Sequence, residues 1–210
     1  MPATRTETVT ARDGGEFAAT LVLPETGEGP GIMLLQEIFG VNDFLLDKAG
    51  SLAALGYVVL CPDVFWRIQP GVSLAHDGDG LQQGFGLVTR YSTELEQETK
   101  TADLVASLEH LKALPEVVGK TAVMGYCLGG LLAYLSAAAG QPDACVSYYG
   151  SGIADLLEFG PQITCPILLH FGGSDPYISN EQIEAVREAF ASREDVRFVV
   201  QPEAGHAFEN

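Results

Sequence analysis

The chain has 210 residues, 47% of them hydrophobic and 19% charged, a balance that suits one soluble domain with a single core. Its formal net charge is -17, and with no Lys/Arg run it lacks the basic stripe that nucleic-acid phosphates or an anionic membrane surface require. Residues 1–7 are polar, without the apolar stretch of a signal peptide, and apolar runs such as 131–139 are too short to span a bilayer, so the expectation is a cytoplasmic monomer.

The first elements read as a hairpin, with residues 8–11 and 17–23 flanking Asp13-Gly14-Gly15. After a loop over 24–30, the nearly all-apolar run 31–36 predicts a strand covered on both faces. Asn42 is placed to cap a helix reaching about Leu55, with Leu45, Ala49, Leu52 and Leu55 on one face and Gly56 closing it. Residues 57–60 form the next strand, ended by Cys61-Pro62-Asp63. The stretch 64–91 shows no clean period and holds glycines at 71, 78, 80, 84 and 86, which reads as an irregular segment with a functional purpose. Thr93 and Glu96 have capping-box spacing before a helix carrying Leu104, Leu108 and Leu111. Strands over 120–124, 144–149, 166–171 and 196–200 then accompany helices over 128–139 and 180–191. This order predicts an α/β fold in one domain over 1–210, with a mostly parallel central sheet flanked by helices and an antiparallel N-terminal hairpin.

Of the four cysteines, Cys61, Cys145 and Cys165 sit beside β-prone stretches and read as small buried hydrophobes, and no pair has the spacing of a zinc or dithiol motif. Cys127 is different. It stands in Gly125-Tyr126-Cys127-Leu128-Gly129-Gly130, between a strand and a helix, which is the G-x-nucleophile-x-G elbow with cysteine in place of the commoner serine. The bland alternative is a buried cysteine in a glycine-rich turn. In the elbow, small residues flank a strained nucleophile, and the helix N-terminus beyond it favours a thiolate and later an oxyanion.

Asp175 follows a strand where an orienting acid belongs, although a turn aspartate before Pro176 reads equally well there. His206 lies just past the last strand, at the position of a general base, and the order nucleophile, acid, histidine is that of α/β-hydrolases. The other histidines fit less well, with His76 in the irregular segment, His110 on a helix and His170 in a strand. The loop Gln36-Glu37-Ile38-Phe39-Gly40 follows the first parallel strand, so the N–H groups of Ile38 and Leu128 are the expected oxyanion hole. Glu37 then points its carboxylate toward the nucleophile, although taken alone it reads by default as a surface or cap residue.

Together with Cys61-Pro62-Asp63, Tyr148-Tyr149-Gly150, Gly172-Gly173-Ser174-Asp175 and Ala204-Gly205-His206, these segments resemble the dienelactone hydrolase family, in order over nearly the whole chain. The resemblance implies an α/β-hydrolase fold, Cys127 as nucleophile, His206 as base and Asp175 as orienting acid. It also implies that Glu37 contacts the resting Cys127 thiol and helps generate the thiolate when substrate arrives. Family members that act on dienelactone hold its carboxylate with two arginines, and Gln82 and Asn210 stand at those places here. Arg67 or Arg90 is the candidate replacement, with Gln82 and Tyr148 as further substrate contacts. The family chain also continues into a C-terminal helix that this sequence, ending four residues after His206, does not contain.

The sequence reading is therefore a hydrolase of small carboxylic esters or lactones, acting through an acyl-thioenzyme with no metal or organic cofactor. A non-enzymatic thiol sensor or covalent ligand-binding protein on the same fold, and an acyltransferase, are the alternatives.

Overall fold

The computed structural model describes residues 3–210. The strands β1 (Ala3–Thr10) and β2 (Glu16–Leu23) pair antiparallel around a turn in which Asp13 Oδ1 accepts the Gly15 amide at 3.0 Å. Next come β3 (Gly29–Leu35), α1 (Asp43–Ala54) and β4 (Val58–Pro62). All of β4, and β3 from Gly31 onward, is buried, because the sheet is covered on both faces. The chain continues through α2 (Gly78–Glu94), α3 (Gln97–Ala113), β5 (Val117–Tyr126), α4 (Leu128–Gly140) and β6 (Ala144–Tyr148). A 3-10 stretch over Ile153–Gln162 precedes β7 (Ile167–Gly172), α5 (Asn180–Ala189) and β8 (Val196–Gln201).

The eight strands lie in the order β1-β2-β4-β3-β5-β6-β7-β8. Pairing is antiparallel from β1 to β4 and parallel from β4 to β8, the mostly parallel α/β-hydrolase sheet that the sequence led us to expect. Parallel strands end at the same edge, so the loops after β3, β5, β7 and β8 gather there. Helix caps fix two of the connections. Asn42 Oδ1 accepts the Leu45 amide at 3.2 Å, a bond of the kind that contributes about 1 kcal/mol, and Ser179 with Gln182 forms a reciprocal capping box before α5.

Two expectations need correcting, and one element is new. Residues 64–91 are not irregular throughout, since α2 begins at Gly78, capped by Asp77 accepting the Gly80 amide at 2.7 Å. Its buried face is Gly80, Gly84, Leu87 and Tyr91, so glycine occupies half of the positions where an apolar period would show. Gly84 is there for proximity, because a Cβ would come within 2.9 Å of both the Ile38 carbonyl oxygen and its Cγ1. Thr93 and Glu96 form no capping box: the Thr93 hydroxyl donates to the Thr89 carbonyl inside α2, and α3 starts after Glu96 without a side-chain cap. The 3-10 stretch was not foreseen, as it is short, bent at Leu156 and interrupted by Pro161.

Candidate active site

The strand β5 turns into α4 through Cys127, whose φ of 53° and ψ of -116° lie where L-residues rarely go and cost about 1–3 kcal/mol. The turn is pinned by the Cys127 amide donating to the Tyr148 carbonyl at 3.0 Å and by the Cys127 carbonyl accepting the Gly130 amide at 2.9 Å. The glycines have a steric cause. A Cβ on Gly125 would strike the Gly129 carbonyl, one on Gly129 the Leu35 carbonyl, and one on Gly130 the Tyr148 carbonyl. The Leu128 amide opens α4 and so has no helical acceptor. The Ile38 amide, in the loop after β3, has no hydrogen-bond partner among the described residues. Both are backbone donors of the kind an oxyanion needs, the Leu128 amide lying beside the Cys127 sulfur.

Two further loops bring the acid and the imidazole together. His206 Nδ1 lies 2.7 Å from Asp175 Oδ2, and Asp175 Oδ1 accepts the Tyr177 amide at 2.8 Å. That contact puts the imidazole proton on Nδ1 and leaves Nε2 as an acceptor. The approach of the two loops depends on Gly173, where a Cβ would lie 2.7 Å from the Pro202 carbonyl, and is closed by the Ser174 amide donating to the Ala204 carbonyl at 3.0 Å. The His206 ring rests against Tyr149 and Tyr177, with centroids 5.1 and 5.0 Å away.

Glu37 is 4% exposed. Its Oε2 accepts from Asn210 Nδ2 at 3.1 Å and lies 3.3 Å from His76 Nε2. The contact expected between Glu37 and the Cys127 thiol is not among the hydrogen bonds of the described residues, where the carboxylate accepts from Asn210. Burial raises the Glu37 carboxyl above the usual carboxylate range, opposed by the Asn210 bond and by Lys48. The Cys127 thiol is pushed up to about 12, first by burial and then by the Glu37 charge, with the Leu128 amide opposing them. The helix N-terminus was expected to favour a thiolate. In the resting protein its effect is outweighed, and Cys127 is a thiol.

Cys127 and His206 open on one pocket of about 730 Å³ between the β3 loop, α2 and the start of α4, within the size range of small-molecule sites. Glu37, Ile38 and Leu128 also line it, as does Asn210. The expected substrate contacts are placed elsewhere. Arg67 grips Asp103 through two bonds, at 2.7 and 2.9 Å, meets Asp13 at 2.8 Å and stacks on Trp66. Arg90 is exposed and paired with Glu94 at 2.8 Å. Gln82 is exposed beside the wall residue Leu81, and Tyr148 is stacked on Tyr126 and tilted against His170, off the pocket wall. None of the four is a wall residue. The sequence reading missed His76, Phe85 and Tyr177, which are on the wall. Leu81, Phe85 and Val88 follow helical spacing along α2, and that stripe was the available signal.

Comparison with known proteins gives the family. The model of the dienelactone hydrolase family matches residues 17–210. A carboxymethylenebutenolidase of a Pseudomonas species is 38% identical over 201 residues, 95% of this chain and 82% of its own length. Carboxymethylenebutenolidase 1 of Cupriavidus pinatubonensis is 34% identical over 95% of this chain and 84% of its own. Among solved structures, a putative dienelactone hydrolase from Klebsiella pneumoniae superposes with a TM-score of 0.83 at 24% identity, covering 99% of this chain and 88% of that one. A dienelactone hydrolase-like promiscuous phosphotriesterase from metagenomic libraries gives 0.77 at 26% identity, covering 99% and 85%.

Proposed function

The chain belongs to the dienelactone hydrolase family, and from that premise we propose that it hydrolyses small carboxylic esters or lactones at Cys127, with His206 as base and Asp175 as its orienting acid. The observation that carries the proposal is the shared pocket. A cysteine on a strained elbow opens on the same cavity as an imidazole whose far nitrogen is tied to a buried carboxylate.

In this reading the thiol proton passes to His206 Nε2 as the sulfur attacks the acyl carbon, and the carbonyl π electrons move onto oxygen. The Ile38 and Leu128 amides receive that oxyanion. Its collapse breaks the bond to the leaving oxygen, which takes the proton from His206, and a thioester remains on Cys127. Water, deprotonated by the same imidazole, attacks the thioester. The carbon–sulfur bond breaks, the acid leaves and the thiol is restored. Asp175 holds the tautomer. Because the resting group is a thiol, proton removal must accompany substrate binding, and Glu37, close enough to raise the thiol's pKa, is the second carboxylate that can take part.

The test is acid quenching during turnover of a 4-nitrophenyl ester, followed by peptide mass spectrometry. The acyl mass is expected on the peptide that contains Cys127. Acylation of a different residue would sink the assignment.

A further inference from the structure

We infer that the pocket selects esters and lactones whose acyl part is neutral and apolar and rejects those that carry a carboxylate. This rests on the hydrolase reading above and adds the substrate class to it.

The charges on the wall are the first argument. Of the residues that line the pocket, Glu37 and Asp77 are acidic and none is Lys or Arg. The nearby cations are committed elsewhere: Arg67 to Asp13 and Asp103, Arg90 to Glu94, and Lys48 to Glu209 at 2.9 Å. The N-terminus of α2 also reaches the wall, but the Asp77 side chain already accepts from it. The two histidines do not supply the missing cation, since His206 is engaged with Asp175 and burial lowers the pKa of His76. A substrate carboxylate would therefore lose its water, gain no cationic partner beyond the neutral donors of Ser92, Ser151 and Asn210, and face Glu37 and Asp77. Long-range repulsion adds to this, because the whole chain carries -17.

The apolar surface is the second argument. Phe39, Leu81, Phe85, Val88 and Leu131 give the wall a broad apolar surface. At the mouth Phe85 and Tyr177 are 45% and 51% exposed, unusual for large rings, and they face each other with centroids 6.2 Å apart and planes inclined by 55°. Tyr177 then meets His206 edge-on at 5.0 Å. An aromatic ridge thus runs from solvent to the catalytic imidazole, a surface that binds an alkyl or aryl group by burial and stacking.

The experiment compares 4-nitrophenyl pentanoate with 4-nitrophenyl hydrogen glutarate, which share chain length and leaving group and differ by a terminal carboxylate. For the wild-type protein kcat/KM is expected to be about 100-fold higher with the neutral ester. Leu81→Arg, at a partly exposed wall position, is expected to narrow that ratio about tenfold by supplying a cation. Phe85→Ala is expected to raise KM for the pentanoate by about threefold or more while kcat changes little. A wild-type ratio of one, or a preference for the glutarate, overturns the inference and leaves the hydrolase reading standing. A ratio that Leu81→Arg does not move also overturns it. Failure to turn over either ester overturns both.

Discussion

At Cys127 two influences oppose each other: the α4 N-terminus draws negative charge to the sulfur, while burial and Glu37 repel it, and the second pair prevails. A thiol with a pKa raised to about 12 is protonated at every pH below that value. Iodoacetamide alkylation of the resting protein should therefore climb about tenfold per pH unit up to about pH 9 without levelling. Cys61, Cys145 and Cys165 are buried and free, so the signal belongs to Cys127. A plateau near neutrality would contradict this reading and revive the low-pKa sensor. Glu37 provides a second prediction. Its folded pKa lies above its ordinary value near 4.5, so the stability linked to its titration is fully present below that value and is lost as pH rises through the folded pKa. Ionising Glu37 therefore costs the fold stability. Glu37→Gln should raise unfolding stability by about 1 kcal/mol at pH 7 and by nothing below about pH 4, as read by urea denaturation, while slowing ester turnover. The same variant should alkylate faster, because a charge that raises the thiol pKa has been removed.

Among the elements, α2 separates packing from propensity. Gly84 and Gly86 both lie inside it, and alanine favours a helix by about 1 kcal/mol at either place. Only Gly84 is pressed on Ile38, 2.9 Å from where a Cβ would be; at Gly86 nothing lies within 4 Å. Gly86→Ala should stabilise the protein by about 0.5–1 kcal/mol and leave turnover unchanged. Gly84→Ala should displace the Ile38 loop and lower kcat by about tenfold or more, measured by steady-state kinetics on a neutral ester. This helix is also where the sequence was least informative. Its buried face is half glycine and gave no apolar period, and the one stripe at helical spacing, Leu81, Phe85 and Val88, lies on the pocket face instead. The strands were readable for the opposite reason: β3 and β4 are buried on both faces and appear as unbroken apolar runs.

Across the whole molecule the sheet order sets what was readable in the site. Cys127, Asp175 and His206 each follow a parallel strand, so their meeting at one edge follows from topology and chain order. The bond from Asn210 to Glu37 spans 173 residues and depends on how two loops fold, which no local spacing encodes. The same holds for Arg67, whose partners Asp13 and Asp103 come from distant parts of the chain. Net charge acts at this scale too. A chain at -17 repels itself, so raising NaCl from about 20 mM to about 300 mM should raise the Tm, whereas a protein with balanced charge would respond little. The most direct test of the central claim is the turnover of Cys127→Ala on 4-nitrophenyl pentanoate, with the fold verified by circular dichroism. Loss of at least about a thousandfold in kcat/KM is the predicted result; a folded variant that keeps wild-type turnover would contradict it.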